Sequence, residues 1–483
     1  MRFKRVFFVI PNLQWENGYP SYPHPGLGYI IETLEQHGIK CGVLDMTLGY
    51  NFSNLIKKIR EFNPDLIGLT LYSYRHRRAY ELIKHIRQIT NKPVVIGGPH
   101  VSLMGKKCME DSDADLAIKY EGEYPLLEVC LGDPLEEINN LIYRDGKDIK
   151  ENPNRPFITN LNILPFPKYS PFELKKYAER SIGILSSRGC PFMCTYCSVK
   201  TTMGRNFRAR NPENIVSELK YWYGKGYRHF HINDDTFNAD IKRVNEICDL
   251  IEKEKLTNAR FSAWQGMRLD KVDRAFLEKL KKVGFYSLAF GVESYNNQIL
   301  QNIKKGETTR QIDEGVRIAC ELGFYVILFF ILGLPGETWQ DVENSFNFSL
   351  KYPIGSACFF NPIPYPGTEL FDELKKDNLI LYDPAIYLNE TVNTNNRKIL
   401  YLTHSMNLVQ REKAIELGER YNRKVSQRYM RRKLSRIGLL GNVLAWLICS
   451  KFVKQSWIYL DHYGVTYKGR LLIMRFIRFK EIE

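Results

Sequence analysis

The sequence predicts an α/β protein built from two successive parallel sheets and a helical, basic tail. Three observations carry that expectation. Short apolar, β-rich runs alternate with helical patterns through residues 1–150. A proline-rich stretch then interrupts the pattern over 151–180. From residue 181 the alternation resumes and repeats six times. The expected organisation is a doubly wound, Rossmann-like sheet over 1–150, a linker over 151–180, a (β/α)6 partial TIM barrel over 181–385 and a tail over 386–483.

In the first region KRVFFVI reads as a strand, 25–37 as a helix ended by Gly38, and IKCGVLD as a second strand. A helix over 54–62, the strand DLIGLTL and a helix over 77–90 follow. PVVIGG and ADLAIKY are the fourth and fifth strands, with a short helix after Glu123. Near-continuous apolar strands of this kind are buried on both faces, as in parallel sheets. LIYRDGKDI reads as a hairpin with an Asp-Gly turn. Ligands of such sheets lie beyond the carboxyl ends of the strands. The segments there are PNLQWENGYPSYPHPG, TLYSYRH, GGPHVS and YEGEYP, all rich in glycine, proline or aromatics. The proline-rich segment suits an extended linker laid along a surface.

In the second region the strands are SIGILSS, RHFHIN, ARFSAW, YSLAFG, YVILFFI and SACFFN. Helices fit over 212–223, 241–253, 271–283, 297–303, 309–322 and 339–350. Pro212 sits at a helix start, where its missing N–H costs nothing. Barrels of this type do chemistry at the carboxyl ends of their strands.

Composition is that of an ordinary globular protein, 44% hydrophobic and 25% charged. The apolar run VFFVI near the N-terminus is too short for a signal core and reads as a buried strand. Seven of the ten cysteines are scattered singly, which fits reduced thiols and a cytoplasmic location rather than a disulfide framework. The net charge of +15 is uneven: residues 395–483 hold 19 Lys and Arg against 6 Asp and Glu, and the rest 50 against 48. A basic end on a neutral body suggests an anionic partner, such as a membrane surface, nucleic acid or an acidic carrier.

The other three cysteines are Cys190, Cys194 and Cys197, spaced C-x3-C-x2-C in SSRGCPFMCTYCSVK, on the loop after the first barrel strand. Gly189 and Pro191 force a turn there that gathers the sulfurs. Three thiolates can hold three irons of a [4Fe–4S] cube and leave the fourth open to a ligand. The other readings are three unrelated thiols, or a zinc site completed by His229 or His231.

GCPFMCTYC resembles the cluster motif of radical S-adenosylmethionine (radical SAM) enzymes. In that family the open iron binds the amino and carboxylate groups of S-adenosylmethionine, and one electron from the cluster yields a 5′-deoxyadenosyl radical. The resemblance implies Cys190, Cys194 and Cys197 as the metal ligands and catalytic centre. It extends to the other strand ends: NDDTF with Asp234 and Asp235, GMRLD with Arg268, FGVES with Glu293, and FILGLPGET with Ile331, Gly333, Leu334 and Pro335. With Tyr196, these are the implied S-adenosylmethionine contacts. The residue types suit the task, since carboxylates pair with hydroxyls and ammonium, and arginine with carboxylate. Pro364 and Pro366 of PIPYPGTEL are expected to shape the substrate side.

The first domain resembles the cobalamin-binding domain that precedes the barrel in one large subgroup of the family. The matching segments are LTLYS, GGPHVS and YEGE. They imply Thr70, Tyr72, Ser73, Gly97, Gly98, His100, Glu121 and Gly122 as cobalamin contacts. The sequence has no D-x-H-x-x-G after the first strand, so the group beneath cobalt stays open among Tyr72, Tyr74, Arg75, His76, His24 and His100.

The resemblance covers residues 1–385. It implies a [4Fe–4S] cluster, S-adenosylmethionine and cobalamin, an electron donor of flavodoxin or ferredoxin type, and an organic substrate attacked at an unactivated carbon. Methyl transfer from methylcobalamin is the first expectation; ring closure or oxidation, as in porphyrin-cyclase-like and lipid-modifying members, is the alternative. A methylthiotransferase acting on tRNA would need three more cysteines in the first domain, which offers only Cys41, Cys108 and Cys130, none after the first strand. A non-catalytic iron–sulfur sensor with a nucleic-acid-binding tail would close all four irons with cysteine, so nucleic acid is not the expected partner. In the tail, GLLGNVLAWLIC between RRKLSR and KFVK is too short to span a bilayer. It reads either as an interfacial helix at an anionic membrane or as a lid packed on the barrel.

Overall fold

The computed structural model describes residues 1–12, 20–177, 179–390 and 398–450. The first sheet holds β1 (Arg5–Ile10), β2 (Lys40–Asp45), β3 (Leu66–Thr70), β4 (Val94–Gly97), β5 (Leu116–Ile118), β6 (Leu141–Asp145) and β7 (Asp148–Glu151). Their order is β2-β1-β3-β4-β5-β6-β7. β1 to β5 pair in parallel, and β6 and β7 add the antiparallel hairpin at one edge. The chain leaves β1 toward β2 and returns to β3 on the other side, so the order reverses between β1 and β3. A crevice opens at the carboxyl ends of strands at such a switch point.

The second region holds β8 (Ser181–Ile184), a short ribbon of β9 (Ser187–Arg188) with β10 (Arg208–Ala209), then β11 (His229–Ile232), β12 (Arg260–Met267), β13 (Phe285–Glu293), β14 (Tyr325–Ile331) and β15 (Ser356–Phe360). The six long strands form an all-parallel sheet, β15-β14-β13-β12-β11-β8. Helices begin where polar side chains can cap them. Asp240 accepts from the Arg243 N–H at 3.0 Å, and Asp273 from the Phe276 N–H at 2.8 Å. The expected helix over 271–283 therefore starts at Arg274. β9 and β10 had no sequence signal, being two residues each.

Two expectations need correction. The stretch over 151–180 is no surface linker: Leu161, Leu164, Tyr169, Phe172 and Tyr177 are buried. Tyr169 lies 5.7 Å from the Trp222 ring of the barrel and presses on Gly28 of the first domain, where an added Cβ would come within 2.5 Å of its ring. The Tyr177 hydroxyl donates to Asp45 at 2.9 Å. Prolines kept this strap extended, but its aromatics drove it between the domains; burying each such side chain is worth roughly 1.5–3 kcal/mol. Likewise, much of the expected tail is a wall of the barrel. Helix Leu408–Lys433 lies along β15, with Gly418 against Phe359, Tyr421 stacked on Phe346 at 4.5 Å and Arg411 fully buried. It covers the exposed edge that β15 would otherwise present.

Candidate functional site

The three cysteines lie on the loop that follows β9, all half-buried. Several backbone contacts shape it. Gly189 has φ +79°, and a Cβ there would meet the Asn206 carbonyl at 2.5 Å. The Thr195 N–H donates to the Ile303 carbonyl at 3.0 Å, and a turn closes from the Cys197 N–H to the Cys194 carbonyl at 3.3 Å. Burial pushes the Cys194 thiol up and the Cys197 thiol up to about 12, with the neighbouring thiols adding to both.

The acidic pair after β11 divides its work. Asp234 is buried and spent on the preceding strand: it accepts from the Ser186 N–H at 2.6 Å and from the Ser186 and Ser187 hydroxyls. Three donors to its oxygens give Asp234 a bracing role beneath the cysteine loop. Asp235 accepts from the Gly189 N–H at 2.9 Å and faces the large cavity described below. Burial raises its pKa to about 6, against the lowering pull of that hydrogen bond.

A second group surrounds the loop from the other side. Arg268 packs its guanidinium 3.8 Å over the ring of Phe192, which lies between the first two cysteines. It donates to Asp270 at 2.8 Å and to the Lys305 carbonyl at 2.7 Å. Glu293, at φ +64° on a β13 irregularity, pairs with Lys305 at 3.0 Å. Tyr196 is half-buried beside Glu293, and desolvation holds its hydroxyl well above its ordinary pKa. Burial pulls the Lys305 pKa down, but Glu293 and Glu307 together carry it above its usual value. Lys305 was missed from sequence; its only signal was the Lys-Lys-Gly turn between two helices.

Ile331 and Leu334 are buried at the end of β14, with Pro335 half-buried beside them. Gly333, at φ +90°, is fixed from behind: its N–H donates to Glu337 at 2.6 Å and its carbonyl accepts from Tyr401 at 2.7 Å. A Cβ there would strike Arg411 at 2.5 Å. Pro366 borders a smaller cavity with Lys200 and Thr201 of the helix after the cysteines, and the Pro364 carbonyl accepts from the Tyr387 hydroxyl.

A cavity of about 760 Å³ opens between the two sheets. Its first-domain wall includes Thr70, Tyr72, Gly97, Gly98 and Gly122 at the carboxyl ends of β3, β4 and β5. Its barrel wall includes Ser187, Asn233, Asp235, Trp264 and Gln265. The last two sit on a β12 bulge that ends at Gly266, φ +132°; bulges re-aim side chains beside functional sites.

Two expected cobalamin contacts do not line this cavity. His100 is buried behind it, stacked 4.2 Å from His76 and hydrogen-bonded to Tyr80 at 3.1 Å and to Ser73 at 3.2 Å. Burial drives its pKa down to about 3. That network also takes up Ser73 and keeps His76 from the cavity. Tyr74 and Arg75 do line it, as does His24, whose Nδ1 accepts from the Leu27 N–H at 3.0 Å while Nε2 meets the Tyr72 hydroxyl.

Glu121 lines the cavity and is also the hub of a buried ion-pair group. Its carboxylate meets Arg188 at 2.9 Å and Arg208 at 2.6 Å, and accepts from the Ile158 N–H at 2.7 Å. Glu123 adds a contact to Arg188 at 2.6 Å. The YEGE segment therefore ties the first domain to the ribbon that leads into Cys190. Sequence reasoning missed both arginines, since nothing local marks a long-range ion pair.

Among the described residues no group of three His, Cys, Asp or Glu side chains is placed to hold a metal ion. The zinc reading loses its fourth ligand too. His231 is sandwiched between Tyr22 and Trp264 and bonded to Ser262 at 2.6 Å, and His229 stands at the far end of β11. The three thiols share one loop, and the Cys190 sulfur lies 3.1 Å from the Thr236 hydroxyl.

Comparison with known proteins agrees with this geometry. The radical SAM superfamily model matches residues 184–349, and the B12 binding domain model matches residues 18–130. An uncharacterized methyltransferase of Pyrococcus horikoshii is 31% identical over 371 residues, covering 74% of this chain and 80% of that one. The anaerobic magnesium-protoporphyrin IX monomethyl ester cyclase of Cereibacter sphaeroides is 24% identical over 405 residues, covering 79% and 65%. Among solved structures, a radical S-adenosylmethionine methyltransferase from Kitasatospora setae, with cobalamin and a [4Fe–4S] cluster bound, shares the fold with TM-score 0.73. It is 17% identical and covers 99% of this chain and 100% of that one.

Proposed function

The chain belongs to the radical SAM superfamily and carries its B12-binding domain, and from that premise we propose that it methylates an unactivated carbon of an organic substrate. The observation that carries this reading is a cavity with one wall from each domain, in which the carboxyl ends of β3, β4 and β5 face Asn233, Asp235, Trp264 and Gln265 of the barrel. In this reading Cys190, Cys194 and Cys197 hold the cluster, and Thr70, Tyr72, Gly97, Gly98 and Gly122 border the corrin. When bound, the cluster supplies the electron that cleaves S-adenosylmethionine, and methylcobalamin supplies the methyl group.

The chain's own residues bind and orient. Glu293, held by Lys305, presents a carboxylate to the ammonium and hydroxyls of S-adenosylmethionine. Arg268 supports the Cys190–Cys194 turn through Phe192. Asp235 keeps Gly189 in its left-handed conformation through the Gly189 N–H. Ile331, Leu334 and Pro335 offer an apolar edge to a flat purine. An external flavodoxin- or ferredoxin-type protein delivers the electron. The hard steps belong to the cofactors, and no lone general base is required.

Ring closure or oxidation remains the second reading, supported by the cyclase relative. Both use the same cofactors. The test is anaerobic incubation of reconstituted protein with methyl-labelled S-adenosylmethionine and host extract, read by mass spectrometry. Methylation predicts a labelled product along with 5′-deoxyadenosine; deoxyadenosine without label transfer favours the cyclase reading; neither product overturns both.

A further inference from the structure

The helix Gly438–Ile448 is packed inside out. It folds back on helix Leu408–Lys433 through its small residues: Gly441, Ala445 and then Cys449 are buried. A Cβ on Gly441 would fall 2.2 Å from the Leu434 carbonyl, so the approach needs glycine. The large apolar side chains point the other way. Leu439 is 85% exposed, Leu440 62%, Trp446 55%, Val443 52% and Leu447 40%. A helix of a water-bathed protein buries its leucines and tryptophan and shows its small or polar residues. Here the burial is reversed along three turns, which makes one contiguous apolar face.

The charge around this face is mostly positive, with Glu416 and Glu419 beside Arg420 and Arg423 where Trp446 meets the longer helix. Between Glu419 and Asp461 the sequence has ten Lys and Arg and no Asp or Glu. Arg431, Arg432 and Lys433 are exposed on the turn leading into the apolar helix. Among the described residues no helix is long and apolar enough to cross a membrane, and this one has 11 residues. A short helix with an outward apolar face and a basic rim is suited to lie in a bilayer interface.

We propose that this helix and its basic rim dock the enzyme on an anionic lipid bilayer. Charge decides among the occupants. A second copy of the chain would bring two sets of these cations together. Residues 451–483 are themselves net basic, with seven Lys and Arg against three Asp and Glu. An anionic bilayer offers both an apolar phase for the leucines and Trp446 and neutralising charge for the rim.

The test uses the full-length protein with vesicles of phosphatidylcholine alone or mixed with phosphatidylglycerol. Cosedimentation is expected to be about tenfold stronger on the anionic vesicles and to fall as salt rises. The Leu439→Glu/Val443→Glu double variant, altered only at exposed side chains, is expected to lose about tenfold in binding with its circular dichroism unchanged. Trp446 emission, isolated by difference from Trp446→Phe, should shift to the blue on the anionic vesicles. Absence of binding, equal binding to neutral vesicles, or full binding by the double variant overturns the proposal. So does a Trp446 emission already blue without lipid and unmoved by it, which would mean that the chain covers its own face. A dimer abolished by Leu439→Glu also overturns it, by making the face a self-interface.

Discussion

Glu121 and Arg188 meet at 2.9 Å, both buried, across the seam between the two sheets. Glu121 ends a loop at the rim of the first sheet, and Arg188 stands two residues before Cys190. The pair thus links the rim of the shared cavity to the cysteine loop. Removing Glu121 leaves Arg208 buried without that carboxylate, which costs about 3–5 kcal/mol, while Glu123 still holds Arg188. Glu121→Ala is expected to lower stability by that order. Hydrogen exchange should rise at residues 187–197 as well as at the mutated loop. Faster exchange confined to the first domain would show that the pair does not couple the two.

Lys305 offers a related test nearer the cysteines. It stands 3.0 Å from Glu293 and 3.5 Å from Glu307 and is nearly inaccessible. Lys305→Met leaves two carboxylates without their cation. Affinity for S-adenosylmethionine, measured by calorimetry on reconstituted protein, should fall at least tenfold, while Lys304→Met at the exposed neighbour should leave it unchanged.

Cys194→Ala is expected to abolish cluster assembly, seen as loss of bound iron and sulfide and of 5′-deoxyadenosine formation. Cys320→Ser, on a helix remote from the loop, should keep both. Iron retained by Cys194→Ala would remove the cluster assignment.

Gly98 has φ +106°, and a Cβ there would lie 2.8 Å from the Leu71 carbonyl. Gly98→Ala must shift the loop or strain it, at a cost of roughly 1–3 kcal/mol. Since Gly98 borders the cavity, cobalamin retention on gel filtration should fall as well.

Glu337 gives a pH dependence. Burial pushes its pKa up to about 8, although the Gly333 N–H and the Ser294 hydroxyl oppose the shift. In the unfolded chain it titrates at an ordinary carboxylate value, near 4.3. Between the two values the folded state binds the extra proton, so stability falls as pH rises through this window. Glu337→Gln should match the parent at pH 5 and melt a few degrees higher at pH 8. A parent and variant with parallel profiles would show that Glu337 does not carry the effect.

The cysteine loop, the six barrel strands and the order of the two domains were legible because each is local. Apolar runs fix strands, and C-x3-C-x2-C fixes three sulfurs on one turn whatever surrounds it. Asp234 and Asp235 looked alike as neighbours. Only the fold showed that one faces the strand before the cysteines and the other the cavity. His100 looked like a ligand beside glycines, yet the helix that Pro99 begins turns it inward onto His76. The linker was misread because proline content describes solvation, while its aromatics found partners more than forty residues away; the tail is helical as its pattern indicated, but which surface it covers was not legible.

By itself, then, the sequence determined which chemistry this protein could host, since bond-making residue types and their local spacing survive any packing. The tertiary structure alone decided which of those residues reach the shared cavity, that Glu121 serves as a latch, and that the last described helix turns its leucines outward. Those outcomes depend on which distant surfaces meet, and burial and charge pairing between remote segments leave no periodicity in the chain to be read.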